Sequence, residues 1–199
     1  QVYRPDAPIE TIGYQGIPGS FSEEATLKYI DEHHLGDIET KPCLTSQGVM
    51  DSLARYEIDR GIIAMENARG GVVHESIHSL ARARCKVGSM FHIQVNQCLI
   101  VKEGVGHDEI TEVRSHPQAL KQCSKYLSEK LAHIPHIESK DTAESARKLF
   151  DNQYSDTTAV IAPARAAEIY GLKVLKNNIQ DLKDNKTLFL VVERTGSPI

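Results

Sequence analysis

Apolar and β-branched runs alternate along the chain with segments of helical periodicity. Short runs of this kind, bounded by polar or glycine-containing segments, predict buried strands. They are TIGYQ (11–15), GIIAME (61–66), ITEVR (110–114), TTAVIA (157–162) and TLFLVVE (187–193). Strands that alternate with helices are typical of a parallel or mixed sheet with covering helices. The pattern therefore predicts an α/β protein.

Short polar sequences mark the starts of two of the predicted helices. Ser20 and Glu23 have the spacing of a capping box, in which side chains satisfy the free N–H groups of the first helical turn. Ser115 and Gln118 have a similar spacing, and Pro117 is tolerated there because its missing N–H would have no partner. We therefore expect a helix to begin directly after each of these serines.

A long β-like stretch in the middle of the chain predicts a crossing between two lobes. Residues 86–102 are nearly continuous in β character, which is too long for one strand of typical length. We expect the chain to leave the first lobe within this stretch and to return later. The predicted lobes are 1–94 plus 181–199 for the first, which is discontinuous, and 95–180 for the second.

Composition and charge narrow the possible partners. Apolar residues make up 40% of the 199 residues and charged residues 25%, as in an ordinary globular protein. The 23 basic and 27 acidic residues are mixed without long runs, which argues against nucleic acid or an anionic membrane surface as a partner. No stretch approaches the roughly 18–20 apolar residues of a membrane span, and the first residues lack the apolar core of a signal peptide. We expect a cytoplasmic protein.

The cysteine and histidine patterns give no support for a metal site. The four cysteines lie far apart without a C-x-x-C spacing, which also fits a reducing compartment. His74 and His78 have the spacing that places two ligands on one helix face, but no third ligand follows nearby. No G-x-S-x-G elbow marks a hydrolase nucleophile. We interpret the histidines as exposed or hydrogen-bonded residues, and no metal is expected.

Polar residues that folding alone does not explain are concentrated in four segments. They are GYQGIPGS (13–20), MENARGG (65–71), SHPQALKQC (115–123) and DNKTLF (184–189). Each lies at a strand end or a helix start, where open α/β sheets bind ligands. Taken singly, the first segment is better interpreted as a turn before a capped helix, and Glu66-Asn67 equally fits a polar strand end. No nucleotide-binding fingerprint is present.

Taken together, in order and spacing, these segments resemble the prephenate dehydratase family, from Ile12 to Glu193. The matching motifs are YQGIPGSFS (14–22), Glu66-Asn67, Ser115-His-Pro-Gln118 with Gln122-Cys123, AAEIYGL (166–172), IQD (179–181) and Asn185-x-Thr-x-Phe189. The resemblance implies an α/β fold of two lobes like the type II periplasmic binding proteins, with a ligand cleft between the lobes. It thus agrees with the crossings inferred above.

The family's reaction converts prephenate to phenylpyruvate, in phenylalanine biosynthesis. The ring hydroxyl leaves as water and the ring carboxylate as carbon dioxide, so the resemblance implies a carbon–oxygen lyase acting on a small dicarboxylate. Aromatisation drives the reaction, and the enzyme has only to align the leaving groups and assist departure of the hydroxyl. No metal or organic cofactor is implied. A homodimer or larger assembly is implied.

Roles for individual residues follow from the resemblance. Thr187 would donate a hydrogen bond to the leaving hydroxyl, and such a bond is strengthened in a closed, dry site. Asn67, Ser115 and Gln122 would position the substrate. Further residues expected to bind it are Gln15, Ser20, Glu66, Phe189 and Arg69.

The chain departs from the family pattern at three positions. The family signature Thr-Arg-Phe reads Thr187-Leu188-Phe189 here, so a guanidinium that could hold a carboxylate is absent. Ala68 stands where Ser or Thr is usual, and Pro163 stands where Ser is common. We hypothesise that Arg69 restores the positive charge lost at position 188. The alternative is a solvated surface arginine.

Two other functions stay open. Non-aromatising prephenate decarboxylases also lack the Thr-Arg-Phe motif, although the retained Thr187 argues against that reaction. A binding module that closes on an aromatic-pathway acid without turnover is a different class. The residues leave open whether prephenate or arogenate is the substrate. Because the chain ends soon after the last motif, we expect no ligand-sensing ACT domain and no feedback by phenylalanine through this chain.

Overall fold

A computed structural model describes residues 9–195, which form two mixed β-sheets and their covering helices. The strands are Thr11–Tyr14 (β1), Glu39–Pro42 (β2), Arg60–Asn67 (β3), Gly71–Val72 (β4), Cys85–Gln94 (β5), Cys98–Val101 (β6), Glu112–Ser115 (β7), His136–Glu138 (β8), Thr158–Ala162 (β9), Lys173–Lys176 (β10) and Lys186–Arg194 (β11). The helices are Phe21–Glu32 (α1), Ser46–Ala54 (α2), His74–Arg82 (α3), Pro117–Gln122 (α4), Ser124–Lys130 (α5), Thr142–Phe150 (α6) and Ala164–Tyr170 (α7), with a 3₁₀ turn at His107–Glu109. All five predicted strands are present, as β1, β3, β7, β9 and β11.

Both sheets combine parallel and antiparallel pairs. The first has the order β2-β1-β3-β11-β5, with β4 paired to β3 outside this path. In it β1 runs parallel to β2 and β3, and β11 runs antiparallel to β3. The second has the order β10-β6-β9-β7-β8, in which β7 is parallel to β8 and β9 and β6 is antiparallel to its neighbours. The predicted α/β class is confirmed.

Each sheet belongs to a separate compact unit. The first unit contains the described residues up to Ile17, Ser22–Ile93 and the described residues from Lys186 onward. The second contains Pro18–Phe21 and Gln94–Asn185. The stretch just before Lys186 groups with the second unit, where the Asn185 carbonyl accepts a hydrogen bond of 2.7 Å from the Val95 N–H. The division into lobes at 1–94, 95–180 and 181–199 stays a prediction.

The sheet of the first unit is covered on one face by α2 and α3 and carries an aromatic stack on the other. Val49 and Leu53 of α2 pack against apolar residues of β3 and β11. This contact requires glycine at position 61, since a Cβ there would lie 2.2 Å from Val49 Cγ1. On the other face, Phe91 stacks between Tyr29 and Phe189, with ring centroids 5.5 and 5.9 Å away. Apolar contacts therefore fix β11, the last strand of the described residues.

The core of the second unit is built around β6 and β9, which are apolar on both faces. Leu99 and Ile161 pack into one cluster with α4 and α5, and Ile100 and Val160 pack into another with α6 and α7. Strands buried on both faces read as continuous apolar runs, which is why this region is recognisable in the sequence.

The helix starts show one agreement and one correction. The helix predicted after Ser20 begins at Phe21, as expected. The prediction that Ser115 caps the next helix is wrong. His116 is the N-cap, and its ring Nδ1 accepts a 3.2 Å hydrogen bond from the Gln118 N–H. Ser115 is the last residue of β7, so its hydroxyl is held by the sheet and cannot reach the helix start.

Candidate functional site

One edge of the first sheet collects four of the residues predicted to serve the substrate. The parallel strands β1 and β3 end there, with Gln15 just after β1 and Glu66-Asn67 closing β3. The antiparallel strand β11 begins at the same edge, and its register places Thr187 directly opposite Asn67. Residues from three separate segments of the sequence therefore lie side by side within the first unit.

The centre of this edge is a hydrogen bond between Asn67 and Thr187. Asn67 Nδ2 donates to Thr187 Oγ1 at 2.8 Å. The orientation of the amide is fixed, because Asn67 Oδ1 accepts from the backbone N–H groups of Arg69 at 3.0 Å and Gly70 at 2.8 Å. A threonine hydroxyl that accepts here keeps its own proton for another acceptor. Thr187 is nearly buried, so bulk water has little access to its hydroxyl.

The turn between β3 and β4 holds the asparagine in place. Asn67 pairs with Gly71 across the hairpin, and Gly71 has a positive φ of 74°. The Ala68 N–H donates to the Lys186 carbonyl at 2.9 Å, which ties the turn to β11 as well. Ala68 and Arg69 are both exposed at the tip. The backbone of the turn is thus fixed from two sides while the arginine side chain reaches outward.

Gln15 supports the same edge from β1. Its N–H donates to the Ile62 carbonyl at 3.0 Å, and its side-chain Oε1 accepts from the Ala64 N–H at 3.1 Å. The side chain thereby adds one more rung between the two strands where β1 has ended. Next to this point the pairing of β3 and β11 shifts register between Leu188 and Phe189. Gln15 therefore stabilises the strand that carries the asparagine.

The position that lacks the family's arginine faces away from the Thr187 hydroxyl. Leu188 pairs with Glu66, whereas Thr187 pairs with Asn67. Successive side chains of a strand point to opposite faces. An arginine at position 188 would begin on the face of Glu66, so its loss leaves the Asn67–Thr187 pair intact. The expectation that this position holds a substrate carboxylate gains no support from the register.

Phe189 and Ser20 have different surroundings from those expected of open binding residues. Phe189 is 1% exposed and is occupied by its stack on Phe91. Ser20 is half-buried just before α1 and groups with the second unit. The preceding Gly19 has a positive φ of 85°, and a Cβ there would lie 3.0 Å from Ala166 Cα. Close packing and the positive φ therefore explain the glycine at position 19.

The second unit holds the other two predicted substrate residues, Ser115 and Gln122. Ser115 is fully buried, and its Oγ donates to the Ile161 carbonyl at 2.6 Å, which extends the contact of β7 with β9. Gln122 is the last residue of α4 and is half-buried. Its Oε1 accepts from Gln97 Nε2 at 3.1 Å. Of the two, only Gln122 has a partly accessible side chain.

Gln97 is a buried polar residue that the sequence reasoning missed. It lies in the short connection between β5 and β6, in the run IQVNQCLIV, where a third polar residue among apolar ones is the available signal. The motif 179–181 holds it: the Ile179 N–H donates to the Gln97 carbonyl, and Gln180 Oε1 accepts from the Gln97 N–H, both at 2.9 Å. The adjacent Asp181 N–H donates to the Gln122 carbonyl at 2.7 Å. This tripeptide therefore fixes both glutamines.

Titratable groups offer no second reactive centre in the part of the chain that is described. Within residues 9–195 no three His, Cys, Asp or Glu side chains are grouped as metal ligands, and His74 and His78 are both exposed. Burial raises the pKa of the Cys123 thiol to about 12 and also raises the pKa of Cys43. Both thiols therefore stay protonated at neutral pH and are poor nucleophiles. No helix in the described range is long and apolar enough to span a membrane.

Comparison with known families and curated proteins gives one consistent result. The model of the family "Prephenate dehydratase" matches residues 12–197. Arogenate dehydratase/prephenate dehydratase 1, chloroplastic, of Arabidopsis thaliana is 38% identical over 183 residues, which are 92% of this chain and 45% of that protein. Arogenate dehydratase 5, chloroplastic, of the same plant is 39% identical, covering 92% of this chain and 42% of its own length. The chain thus spans less than half the length of these relatives.

Solved structures show the same fold at lower identity. Prephenate dehydratase from Arthrobacter aurescens, in complex with L-Phe, has a TM-score of 0.82 and 24% identity, over 94% of this chain and 61% of that one. GqqA, described as a novel type of quorum quenching acylase, has the same TM-score and identity, over 96% and 66%. Since the second protein is described by a different activity, the shared fold alone does not identify the reaction. The fold is the periplasmic-binding-protein-like α/β fold of prephenate dehydratases.

Proposed function

Because this chain belongs to the prephenate dehydratase family, we propose that it converts prephenate, or its amino counterpart arogenate, to an aromatic product with loss of water and carbon dioxide. The observation that carries the proposal is the 2.8 Å hydrogen bond from Asn67 Nδ2 to Thr187 Oγ1. It leaves the threonine proton available as a donor in a nearly buried position. The family's reaction requires a donor of this kind for the departing hydroxyl.

The reaction requires a hydrogen-bond donor to the departing hydroxyl and alignment of the two leaving groups. As the bond from the ring to the carboxylate breaks, its electron pair enters the ring and completes the aromatic system. The bond to the ring hydroxyl breaks at the same time, and negative charge develops on the departing oxygen. A hydrogen bond from Thr187 to that oxygen stabilises the charge where it develops, and such a bond is worth more in a site that excludes water. Asn67 acts through Thr187, so we assign it as a positioning residue.

The remaining assignments rest more heavily on the family resemblance. Gln122 is proposed to bind the substrate through its half-buried amide. Ser115 donates its proton to the Ile161 carbonyl, so we propose that it serves the substrate only as an acceptor. Gln15 is proposed to support β3 through its hydrogen bond to Ala64, and Phe189 to anchor β11 through its stack on Phe91. Ser20 is kept as a proposed substrate contact on the motif match alone. Glu66 is proposed on the same match, but it shares the sheet face of Leu188 and not that of Thr187, so the register adds no support for it.

Arg69 is proposed to supply positive charge to a carboxylate of the substrate. It lies at the exposed tip of the turn whose backbone is fixed by Asn67, two residues along the chain. The side chain is long enough to reach outward from a fixed backbone, which is the arrangement that a charged clamp needs. Arg69 does not take the place of the missing arginine, because Leu188 lies on the face of the sheet opposite to Thr187.

Assembly and compartment form part of the proposal as well. We propose a homodimer or larger, by family resemblance, and a cytoplasmic site of action. The curated relatives are named as chloroplastic, so a plastid is the competing compartment. Light scattering of the purified protein measures the assembly. Imaging of the full-length protein with a C-terminal fluorescent tag distinguishes the compartments.

The test of the proposed function is incubation of the purified protein with prephenate and, separately, with arogenate. Phenylpyruvate is detected by its absorbance in alkali, and phenylalanine by chromatography. An aromatic product that disappears in a Thr187→Val variant supports the proposal. A non-aromatic product that has lost only carbon dioxide would assign the decarboxylase reaction instead. Acid that is bound but left intact would make the chain a binding module, and either result overturns the dehydratase assignment.

A further inference from the structure

The pairing of β3 with β11 contains a β-bulge. The successive residues Leu188 and Phe189 of β11 lie opposite Glu66 and Ala64. Among the described residues, Met65, which lies between these two positions of β3, is therefore left without a partner on β11. One extra residue in one of two antiparallel strands changes the register of every pair beyond it, and such bulges are frequent beside active sites, where they redirect a side chain.

The bulge decides which residue of β3 lies opposite Thr187. Without it, a ladder continued regularly from Phe189 would place Thr187 opposite Glu66. With it, the register moves by one position and Asn67 lies opposite Thr187, where its amide donates the 2.8 Å hydrogen bond to the hydroxyl. The Asn67–Thr187 pair therefore depends on the bulged register.

Side chains take the place of a neighbouring strand beside the bulge. The pairing of β3 with β1 ends at Ile62, and its pairing with β4 begins at Glu66. Ala64 lies between these two pairings. Its N–H donates to Gln15 Oε1 at 3.1 Å, and its carbonyl accepts from Ser76 Oγ at 2.6 Å. Both backbone groups of this residue are thus bonded to side chains from outside β3.

Ser76 is held in the orientation that this bond to β3 requires. It lies in the first turn of α3 and is fully buried. Its Oγ is 2.8 Å from the Oγ of Ser46, the first residue of α2, which is also fully buried. Because Ser76 gives its own proton to the Ala64 carbonyl, Ser46 is the donor in the contact between the two hydroxyls. A buried carbonyl is costly to leave unpaired, so this chain of hydroxyls favours the backbone position in which Ala64 reaches Ser76.

We propose that Ser76 is a positioning residue of the active site, which holds the bulge in β3 and thereby keeps Asn67 opposite Thr187. This inference rests on the proposed function, in which Thr187 assists departure of the hydroxyl, but the register can be measured without turnover. Ser76 acts through the backbone of Ala64. Displacing a catalytic group by about 1 Å can cost about 10²-fold in rate, so release of the bulge should lower kcat by about tenfold or more and change KM by less than about threefold.

The kinetic test compares wild type, Ser76→Ala and Ser79→Ala. Alanine at position 76 removes the donor with little change in volume. Ser79 is the matched control, since it is buried one turn later on the same helix, and its replacement should leave kcat unchanged. Ser76→Cys keeps a side chain of similar size but is a weak donor, and it gives the same comparison if the alanine variant does not fold. In a Thr187→Val background, Ser76→Ala should cause no further loss of kcat, because its effect passes through the threonine.

Nuclear Overhauser contacts between side chains report the register directly. Wild type and Ser79→Ala should show contacts between Thr187 and Asn67, whereas Ser76→Ala should weaken them and gain contacts between Thr187 and Glu66. Unchanged contacts in Ser76→Ala, an unchanged kcat, or an equal loss of kcat with and without the Thr187 hydroxyl would each overturn the inference. Failure of the proposed function is read separately, as absence of turnover by wild type. In that case the contacts alone decide whether Ser76 holds the register.

Discussion

Leu188 lies directly opposite Glu66 on the neighbouring antiparallel strand, and both side chains belong to the face of the sheet that Thr187 and Asn67 do not share. The family's arginine would therefore begin next to a carboxylate of the protein itself. Since Glu66 is exposed, such a pair would form at the surface end of the strand. The register thus favours a lost cross-strand ion pair over a lost substrate ligand.

Restoring the arginine with Leu188→Arg should affect stability slightly and activity hardly at all. A cross-strand pair of opposite charges contributes about 0.2–1 kcal/mol. We expect the free energy of unfolding to rise by up to that amount, measured in urea at low salt, and kcat/KM to stay within about threefold of wild type. Leu188→Met is the control without charge. An increase of tenfold or more in kcat/KM would place the guanidinium on the substrate and contradict the register argument.

Replacing Asn67 with aspartate should invert the bond to Thr187 without breaking the turn. A carboxylate can still accept from the N–H groups of Arg69 and Gly70. It would also accept a hydrogen bond from the Thr187 hydroxyl, whose hydrogen would then no longer be available to the substrate. General acid assistance contributes typically 10²–10⁴-fold, so kcat should fall by about 10²-fold or more. Asn67→Ala, which also loses the turn bonds, should in addition unfold at lower temperature. An Asn67→Asp enzyme with wild-type kcat would show that Thr187 does not act as a donor.

The residues that sequence reasoning found and missed differ in the range of their contacts. The strands β3 and β11 were predictable because each is a continuous run of apolar residues in the sequence. The expectation that Asn67 and Thr187 share a site came from the motif match. The register shift next to Leu188 was not predictable, since pairing 120 residues apart leaves no local signal. Gln97 was missed for the same reason, because its partners at 122 and 180 are distant in sequence. The Ser115 cap was predicted wrongly because the S-x-x-Q spacing does not show that the Ser115 hydroxyl is already bonded to the Ile161 carbonyl in the sheet.

Removing the hydroxyl of Thr187 should abolish most of the catalysis and leave the fold intact. Thr187→Val keeps the shape of a β-branched residue in β11 but can neither accept from Asn67 nor donate to the substrate. We expect kcat to fall by roughly 10²–10⁴-fold with a much smaller change in KM. Thr187→Ser, which restores the hydroxyl, should recover a large part of the rate. Thermal melts check that both variants fold, and a fully active Thr187→Val protein would rule out this residue as the donor.

Arg69→Met tests whether the turn supplies charge to the substrate. Losing a charge-assisted bond to a carboxylate should raise the dissociation constant by about tenfold, measured by calorimetric titration. Arg82→Met changes an exposed arginine at the end of α3 in the same unit and should leave the affinity unchanged. Identical affinity in wild type and Arg69→Met would reduce Arg69 to a solvated surface residue. The affinity should also weaken with added salt in wild type more than in the variant.

Glu112 should make the stability of the second unit depend on acid pH. Its carboxylate accepts from Arg114 Nε at 2.7 Å and from Thr158 Oγ1 at 2.9 Å, and the Arg114 guanidinium in turn lies 4.5 Å above the Tyr154 ring. The hydrogen bond from Arg114 is the main cause that lowers the pKa of Glu112 from its ordinary value of 4.5. A group with a depressed folded-state pKa stabilises the protein above its unfolded pKa and loses that contribution as pH falls through the folded value.

The Glu112→Gln variant isolates this contribution, because the amide keeps the shape and cannot titrate. At pH 7 the variant should be less stable than wild type by about 1–2 kcal/mol, since a partly buried pair with several hydrogen bonds is broken. The gap should narrow as the pH falls below the ordinary glutamate pKa of 4.5 and on through the lower pKa of folded Glu112, where the wild-type carboxylate becomes protonated. Urea denaturation at pH 7, 5, 4 and 3 measures it, with Glu129→Gln, an exposed carboxylate of α5, as the control. A constant gap across this range would mean that Glu112 does not change its protonation on unfolding, and the pair would then contribute through packing alone.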